Sequence, residues 1–148
     1  MTLRNNILLI TCLFGINLAV CTSSVFGEQW LEVSKEQNGT ITSIDDDRVK
    51  ISSGIIEFWT SRIYGDVDRE RDYVIAFLKK LNKCDNCETL YKTLVLSEIR
   101  CTDYMYRIIE MIHYNNDGRV LHQMNMQHGW SHIIPGTISN FVRSKYCK

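Results

Sequence analysis

The fold of this chain is decided by a stretch near its end, residues 101–147, which reads CTDYMYRIIEMIHYNNDGRVLHQMNMQHGWSHIIPGTISNFVRSKYC. An apolar run, Tyr104–Tyr114, is followed by the turn Asn115–Gly118, and Asn and Gly join antiparallel strands because they accept positive φ angles. Further on, Pro135 precedes Thr137, a residue type that caps helix N-termini. The stretch therefore predicts a β-hairpin followed by a helix, with a disulfide joining its first and last residues.

More strands are predicted upstream of this stretch. Asn38-Gly39 predicts a tight hairpin turn, and β-branched and aromatic residues dominate the runs that follow it. Within Tyr104–Tyr114, strict alternation places Ile108 on the face opposite to Met111 and His113. One or two of the three tryptophans are expected in the core. The five upstream strands are predicted over Gln29–Ser34, Thr40–Asp45, Val49–Ile51, Ile55–Tyr64 and Tyr91–Arg100.

One helix interrupts these predicted strands. Between Val67 and Asn82, apolar residues recur with the i, i+3, i+4, i+7 spacing of one helix face. Asp66 is the expected N-cap, since an aspartate carboxylate accepts hydrogen bonds from free backbone N–H groups. The apolar positions are Val74, Phe77, Leu78 and Leu81.

A leader peptide is predicted at the N-terminus. Arg4 supplies a positive charge, Ile7–Val20 is apolar, and small or compact residues precede a cut between Gly27 and Glu28. Alternatively, Leu18-Ala19-Val20-Cys21 looks like a bacterial lipoprotein box, in which Cys21 would carry a lipid. The apolar run is too short for a membrane-spanning helix. We therefore predict a signal peptide over residues 1–27 and a single domain over residues 28–148.

Four cysteines follow the predicted leader. An even number in an exported domain indicates disulfides, and four cysteines allow three pairings. We favour Cys101 with Cys147 and Cys84 with Cys87. Loop-closure entropy assigns the first bridge about 4 kcal/mol and the second about 2 kcal/mol.

Three patterns invite a reading as chemical sites. Cys84-x-x-Cys87 has the spacing of a redox pair, but it follows a predicted helix, whose C-terminal end would raise a thiol pKa instead of lowering it. His128 and His132 have the spacing of helical metal ligands, yet Gly129 and Pro135 make a helix there unfavourable. The acidic turn Asp45–Asp47 lacks the spaced ligands of a calcium loop. No metal, cofactor or catalytic residue is predicted.

Composition adds one exclusion. The chain carries 17 basic and 17 acidic side chains, so its formal charge is zero, and no block of like charge occurs. Nucleic acid is therefore not an expected partner.

The order of the motifs resembles the bacterial surface-adhesin protein E family over most of Trp30 to Cys147. This resemblance implies an α+β domain with an antiparallel sheet of about six strands and a C-terminal helix packed on it; the segment Val67–Cys87 looks like an insertion. The resemblance rests on Trp30-Leu31-Glu32-Val33, Ile44-Asp45, Phe58-Trp59, Ile99-Arg100-Cys101, Arg107-Ile108, Tyr114-x-x-Asp117-Gly118, Trp130, Ile134-Pro135-Gly136-Thr137 and Cys147.

Named members of that family are surface proteins that bind host matrix or serum proteins and can dimerise. The resemblance therefore implies an exported, non-enzymatic protein-binding domain at the bacterial surface or in the periplasm. Its partner would be a host or envelope protein, or a second copy in a homodimer, with membrane contact only through the leader or a lipid on Cys21. Two alternatives stay open: an envelope thiol–disulfide protein using Cys84 and Cys87, and a small-ligand carrier with a pocket between helix and sheet.

Overall fold

The architecture is taken from a computed structural model that describes residues 29–126 and 129–148. The predicted leader, with its cut between Gly27 and Glu28 and the lipidation candidate Cys21, lies outside the described residues, and so does His128.

Within the described residues, eight strands form one antiparallel sheet, and two helices accompany it. Six strands make the main path of the sheet, in the order β1-β2-β4-β5-β6-β7, while β3 pairs with β4 and β8 pairs with β6. This arrangement confirms the predicted α+β fold and its C-terminal helix. The elements are β1 Trp30–Lys35, β2 Ile41–Asp45, β3 Lys50–Ser52, β4 Ile55–Ile63, α1 Arg69–Lys80, β5 Leu90–Arg100, β6 Met105–Asn115, β7 Val120–Asn125, β8 Ser131–His132 and α2 Ile138–Tyr146, with 3-10 turns at Asp46–Arg48 and Cys87–Thr89.

Both helices begin at a side chain that accepts backbone hydrogen bonds. Thr137 caps α2 as predicted, accepting from the N–H of Asn140. The cap of α1 is Asp68, which accepts from the N–H groups of Glu70 and Arg71, so the prediction of Asp66 was wrong by two residues. Asp68 takes this position because it also bonds into the sheet, a contact that local sequence cannot show.

The strongest departure from the sequence pattern lies in the middle of β6. The pairing of β5 with β6 shifts register between Leu96 and Ser97, which leaves Ile109 as an extra residue in β6. Such a bulge breaks the alternation of faces. As a result Ile108 and Met111 lie on the same face, together with His113, and the predicted separation of Ile108 from the other two was wrong.

The two helices cover the same face of the sheet. Val142 of α2 packs against Ile44, Phe58 and Ile99 in the buried core, and Val74 of α1 faces the same side further along. We call this the helix-bearing face. The opposite face is called the bare face, because neither described helix lies on it. None of the three tryptophans is buried; all are half-buried, so the prediction of a tryptophan in the core was wrong.

The cysteines lie in the two pairs favoured above. Cys101 and Cys147 have their Cα atoms 5.6 Å apart, and Cys84 and Cys87 are also 5.6 Å apart, a separation that suits disulfides. Cys101 lies in the turn between β5 and β6, where its N–H donates to the Gly54 carbonyl at 3.0 Å.

Candidate functional site

A cavity of about 500 Å³ opens on the helix-bearing face. Strands β4, β5 and β6 form its floor, the first half of α1 closes one end, and the first turn of α2 closes the other. Apolar side chains and hydroxyls alternate along the floor. The polar lining comes from Ser34, Thr42, Thr60, Arg62, Tyr64, Glu70, Thr93, Ser97, His113, Thr137 and Ser139.

A short hydrogen-bonded chain crosses one side of the cavity. The Tyr64 hydroxyl lies 2.9 Å from Thr93 Oγ1, and Thr93 Oγ1 lies 2.8 Å from His113 Nδ1. Burial, and then the neighbouring imidazole of His122, lower the pKa of His113 to about 4, while burial raises the pKa of Tyr64 to about 12. Both side chains are therefore uncharged at neutral pH.

Three polar atoms on buried side chains at the cavity make no hydrogen bond within the described chain. The hydroxyls of Ser97 and Ser139 make no hydrogen bond to described residues, although the two side chains are only 6% and 7% exposed. His113 is 2% exposed, and only its Nδ1 is engaged. Within the described residues, the fully buried polar atoms without a partner are Arg62 Nε and Arg143 Nε. The three atoms at the cavity stay accessible to solvent, so a ligand there could gain hydrogen bonds from them.

The charged groups gather at the α1 end of the cavity around Arg62. Its guanidinium lies 3.0 Å from Glu36, 3.2 Å from Asp68 and 3.1 Å from Glu70. The Nε atom is close enough to Glu70 for an ion pair but is not aligned for a hydrogen bond. Burial by itself would lower the pKa of Arg62; the carboxylates of Glu70, Asp68 and Glu36 outweigh it and raise that pKa. Three carboxylates therefore face a single cation.

Asp68 connects this charged cluster to the loop between β1 and β2. Its Oδ2 accepts from Thr40 Oγ1 at 2.6 Å, and Thr40 Oγ1 accepts from the N–H of Gly65 at 2.9 Å. Burial works against the charge of Asp68, but the bonds from Thr40, Arg71, Arg62 and Glu70 outweigh it, so its pKa is lowered. The same loop is longer than the tight turn predicted at Asn38-Gly39, since β1 ends at Lys35 and β2 begins at Ile41.

The bare face carries a half-buried apolar centre. Trp59 pairs with Leu96, and Leu94 pairs with Ile112. These side chains alternate along their strands with those that line the cavity, so they point to the other side of the sheet. The apolar centre comprises Ile41, Trp59, Ile63, Leu94, Leu96 and Ile112.

Charged pairs of both signs surround this apolar centre. Lys50 donates to Glu57 at 2.8 Å, and Arg107 donates to Glu98 at 2.6 Å. The Trp130 ring contacts two guanidinium groups, those of Arg100 and Arg107, each 4.6 Å from its centroid. Both ion pairs join residues of neighbouring strands, and the contact of Trp130 with the two guanidinium groups was not predicted from sequence.

The three patterns that were weighed as chemical sites do not form a common site. Cys84 and Cys87 follow the C-terminal end of α1 and lie outside the cavity lining. His132 is exposed in β8. Asp45 is buried; it caps the following 3-10 turn by accepting from the N–H of Arg48 and forms an ion pair with the Arg48 side chain. Among residues 29–126 and 129–148 no group of three metal-binding side chains occurs.

The cavity was not predicted from sequence, although the strands that form its floor show a pattern of polar residues. Thr60, Thr93 and Ser97 lie on the helix-bearing face of their strands beside apolar residues such as Val95, and His113 lies beside Met111 on the same face of β6. Polar residues in phase on neighbouring central strands indicate a face that is only partly packed. Because the bulge at Ile109 shifts the alternation within β6, the sequence alone does not show that His113 lies on the same face as these residues.

The family model described as Surface-adhesin protein E matches residues 30–148. No curated protein matches the chain. No helix in the described ranges is long and apolar enough to cross a bilayer.

Proposed function

Because the chain belongs to the surface-adhesin protein E family, we propose that it is an exported adhesin domain that works by binding another protein and not by catalysis. The family is one of surface adhesins, which supports a place at or beyond the cell surface. The partner in this proposal is a host matrix or serum protein, or another protein of the envelope. A second copy of the chain is the alternative occupant of the same surface.

The bare face is the observation that carries this proposal. Protein interfaces combine an apolar centre, rich in aromatic side chains, with a polar rim. Trp59 and its apolar neighbours supply such a centre, while Lys50–Glu57 and Arg107–Glu98 supply a rim of both signs. Contiguous apolar patches on a protein surface mark interaction sites.

The ion pairs also support a role without catalysis. Glu57 and Glu98 would have to be free to exchange protons in an acid–base mechanism, but each is held by a basic neighbour. Cys84-x-x-Cys87 follows the negative end of a helix dipole, which disfavours a thiolate. The position of Cys84 and Cys87 after the C-terminal end of α1 therefore does not support the thiol–disulfide alternative.

The proposal is tested by binding of the full chain to immobilised matrix and serum proteins. Leu94→Lys places a charge at the centre of the bare face, where the long side chain can extend toward solvent without disturbing the sheet. We expect binding to fall at least tenfold. Tyr73→Lys, at a residue of α1 that is 74% exposed, is the matched control and should bind like the parent.

Two results would count against the proposal. One is the absence of saturable binding to any protein of the panel, combined with a monomer at every concentration in analytical ultracentrifugation. The other is equal binding by Leu94→Lys and the parent. A dimer that Leu94→Lys dissociates would instead assign the bare face to a second copy.

Export and anchoring are tested by the mass of the protein recovered from cells. A mass that begins at Glu28 supports cleavage after Gly27, whereas an N-terminal Cys21 carrying acyl chains supports a lipoprotein. A mass that includes residue 1 would contradict export through a cleaved leader.

A further inference from the structure

The cavity on the helix-bearing face is a second place where this chain can hold another molecule, on the opposite side of the sheet from the bare face. Its volume of about 500 Å³ falls in the range of sites for small molecules, about 300–1,000 Å³. Its apolar walls suit a ligand whose body is mainly hydrocarbon or aromatic. These walls are Val74, Val95, Ile108, Met111 and Ile138.

Three polar atoms of the lining make no hydrogen bond to described residues, and they lie at separate points of the cavity. They are the hydroxyls of Ser97 and Ser139 and the Nε2 atom of His113, all on side chains more than nine-tenths buried. Thr93 can donate to His113 Nδ1 or accept from it, so Nε2 offers either a donor or an acceptor. A ligand with one or two hydrogen-bonding groups would satisfy them.

Charge decides which ligands are excluded. Arg62 is the one permanent cation among the described lining residues, and it is already paired with three carboxylates. His113 is neutral at pH 7 because its pKa is about 4. An anionic group would therefore find no unpaired cation among the described lining residues.

We propose that this cavity is a binding site for an uncharged, mainly apolar small molecule that carries a hydrogen-bonding group. The site is independent of the proposed adhesin surface, because Val95 and Ser97 of β5 face the cavity while Leu94 and Leu96 of the same strand face the other way. Loss of binding at one face therefore leaves the other face available.

A pair of fluorescent probes with the same ring skeleton tests the ligand class. N-phenyl-1-naphthylamine is neutral and carries one N–H, whereas 1-anilinonaphthalene-8-sulfonate adds a negative charge. We expect the full chain to bind the neutral probe saturably at one site and the sulfonate at least tenfold more weakly. Equal affinity for the two probes, or no saturable binding of the neutral one, would overturn the proposal.

Two neighbouring residues of β5 supply the matched variants. Val95→Phe fills the cavity and should weaken binding of the neutral probe at least tenfold, while Leu94→Phe adds the same ring on the bare face and should leave it unchanged. Binding that survives Val95→Phe would place the probe elsewhere, for example on the apolar run Ile7–Val20.

A measurement on the unmodified protein covers the case in which Val95→Phe does not fold. In NMR spectra, the neutral probe should shift the resonances of Ser97, His113 and the Met111 methyl. Shifts confined to residues outside the cavity lining would refute the site. Ser97→Ala, which removes a hydroxyl without a described partner, should keep the fold and weaken binding about threefold to tenfold.

Discussion

Single residues set the pH response of this protein, and His113 is the main example. It is buried and uncharged in the folded protein, with a pKa lowered to about 4 from 6.5. The unfolded chain takes up a proton near pH 6.5, whereas the folded protein does so only near pH 4. The contribution of the neutral His113 side chain to the stability of the fold is therefore fully present above pH 6.5 and is lost as the pH falls toward 4. A difference of that size corresponds to about 3 kcal/mol.

His113→Phe should flatten this dependence. Chemical unfolding at pH 7 and at pH 4.5 should show a smaller loss of stability on acidification in the variant than in the parent. Some slope remains, because burial also lowers the pKa of His122. His132→Phe, at an exposed position of β8, is the control and should keep the full slope. An unchanged slope in His113→Phe would show that its imidazole does not titrate as described.

Gly65 is constrained by space and not by its backbone angles. A Cβ at this position would lie 2.0 Å from the Asn38 carbonyl oxygen, a backbone atom that cannot move without shifting the loop between β1 and β2. We expect Gly65→Ala to cost about 3 kcal/mol of unfolding free energy. Gly129→Ala, where a Cβ would meet nothing within 4 Å, should cost less than about 1 kcal/mol. Equal denaturation midpoints for the two variants would contradict the close approach.

At the scale of elements, α1 is held to the sheet by its cap. Asp68 joins the first turn of α1 to Thr40 and Arg62, and Leu78 is fully buried. The segment that looked like an insertion from sequence is thus part of the packed structure and forms one end of the cavity. The sequence predicted Asp66 as the cap because both residues are aspartates near the start of α1. Only the contacts of Asp68 with Thr40 and Arg62, which are distant in sequence or lie in the sheet, distinguish the two.

Asp68→Asn tests this attachment. The side chain can still cap the helix, but it loses its charge toward Arg62, so we expect a loss of about 1–3 kcal/mol at pH 7. Because the pKa of Asp68 is lowered from 3.8, the difference from the parent should persist above pH 4 and shrink as the pH falls below it. Asp66→Asn is the matched control. A loss that does not change with pH would exclude the charge as its cause.

The two cysteine pairs should differ in their effect on stability. Cys101 and Cys147 are separated by 46 positions, and Cys84 and Cys87 by three. Replacing the first pair with serine should remove about 4 kcal/mol and replacing the second about 2 kcal/mol, as loop-closure entropy predicts. Urea denaturation of both variants under oxidising conditions measures the difference. The reverse order would contradict the entropic account.

On the scale of the whole molecule, the order of strands and helices could be predicted from sequence. The cavity on the helix-bearing face and the half-buried apolar centre on the bare face could not. Turn residues, periodicity and Thr137 are local signals, so most strands and both helices appear near their predicted positions. The bulge at Ile109, the half-buried tryptophans and the cavity depend on pairing between distant strands. The residues of the candidate site were missed for that reason.

The position of Cys101 has a mechanical consequence. An adhesin that is held by its partner and anchored to a cell works under tension. With the bond to Cys101 formed, a pull on the chain at Lys148 passes through Cys147 into the turn between β5 and β6. The nine residues of α2 then carry none of the load, and the force enters a strand that is hydrogen-bonded on both sides. If the bond between Cys101 and Cys147 is reduced, a pull at Lys148 would act on α2 directly and separate this helix from the core.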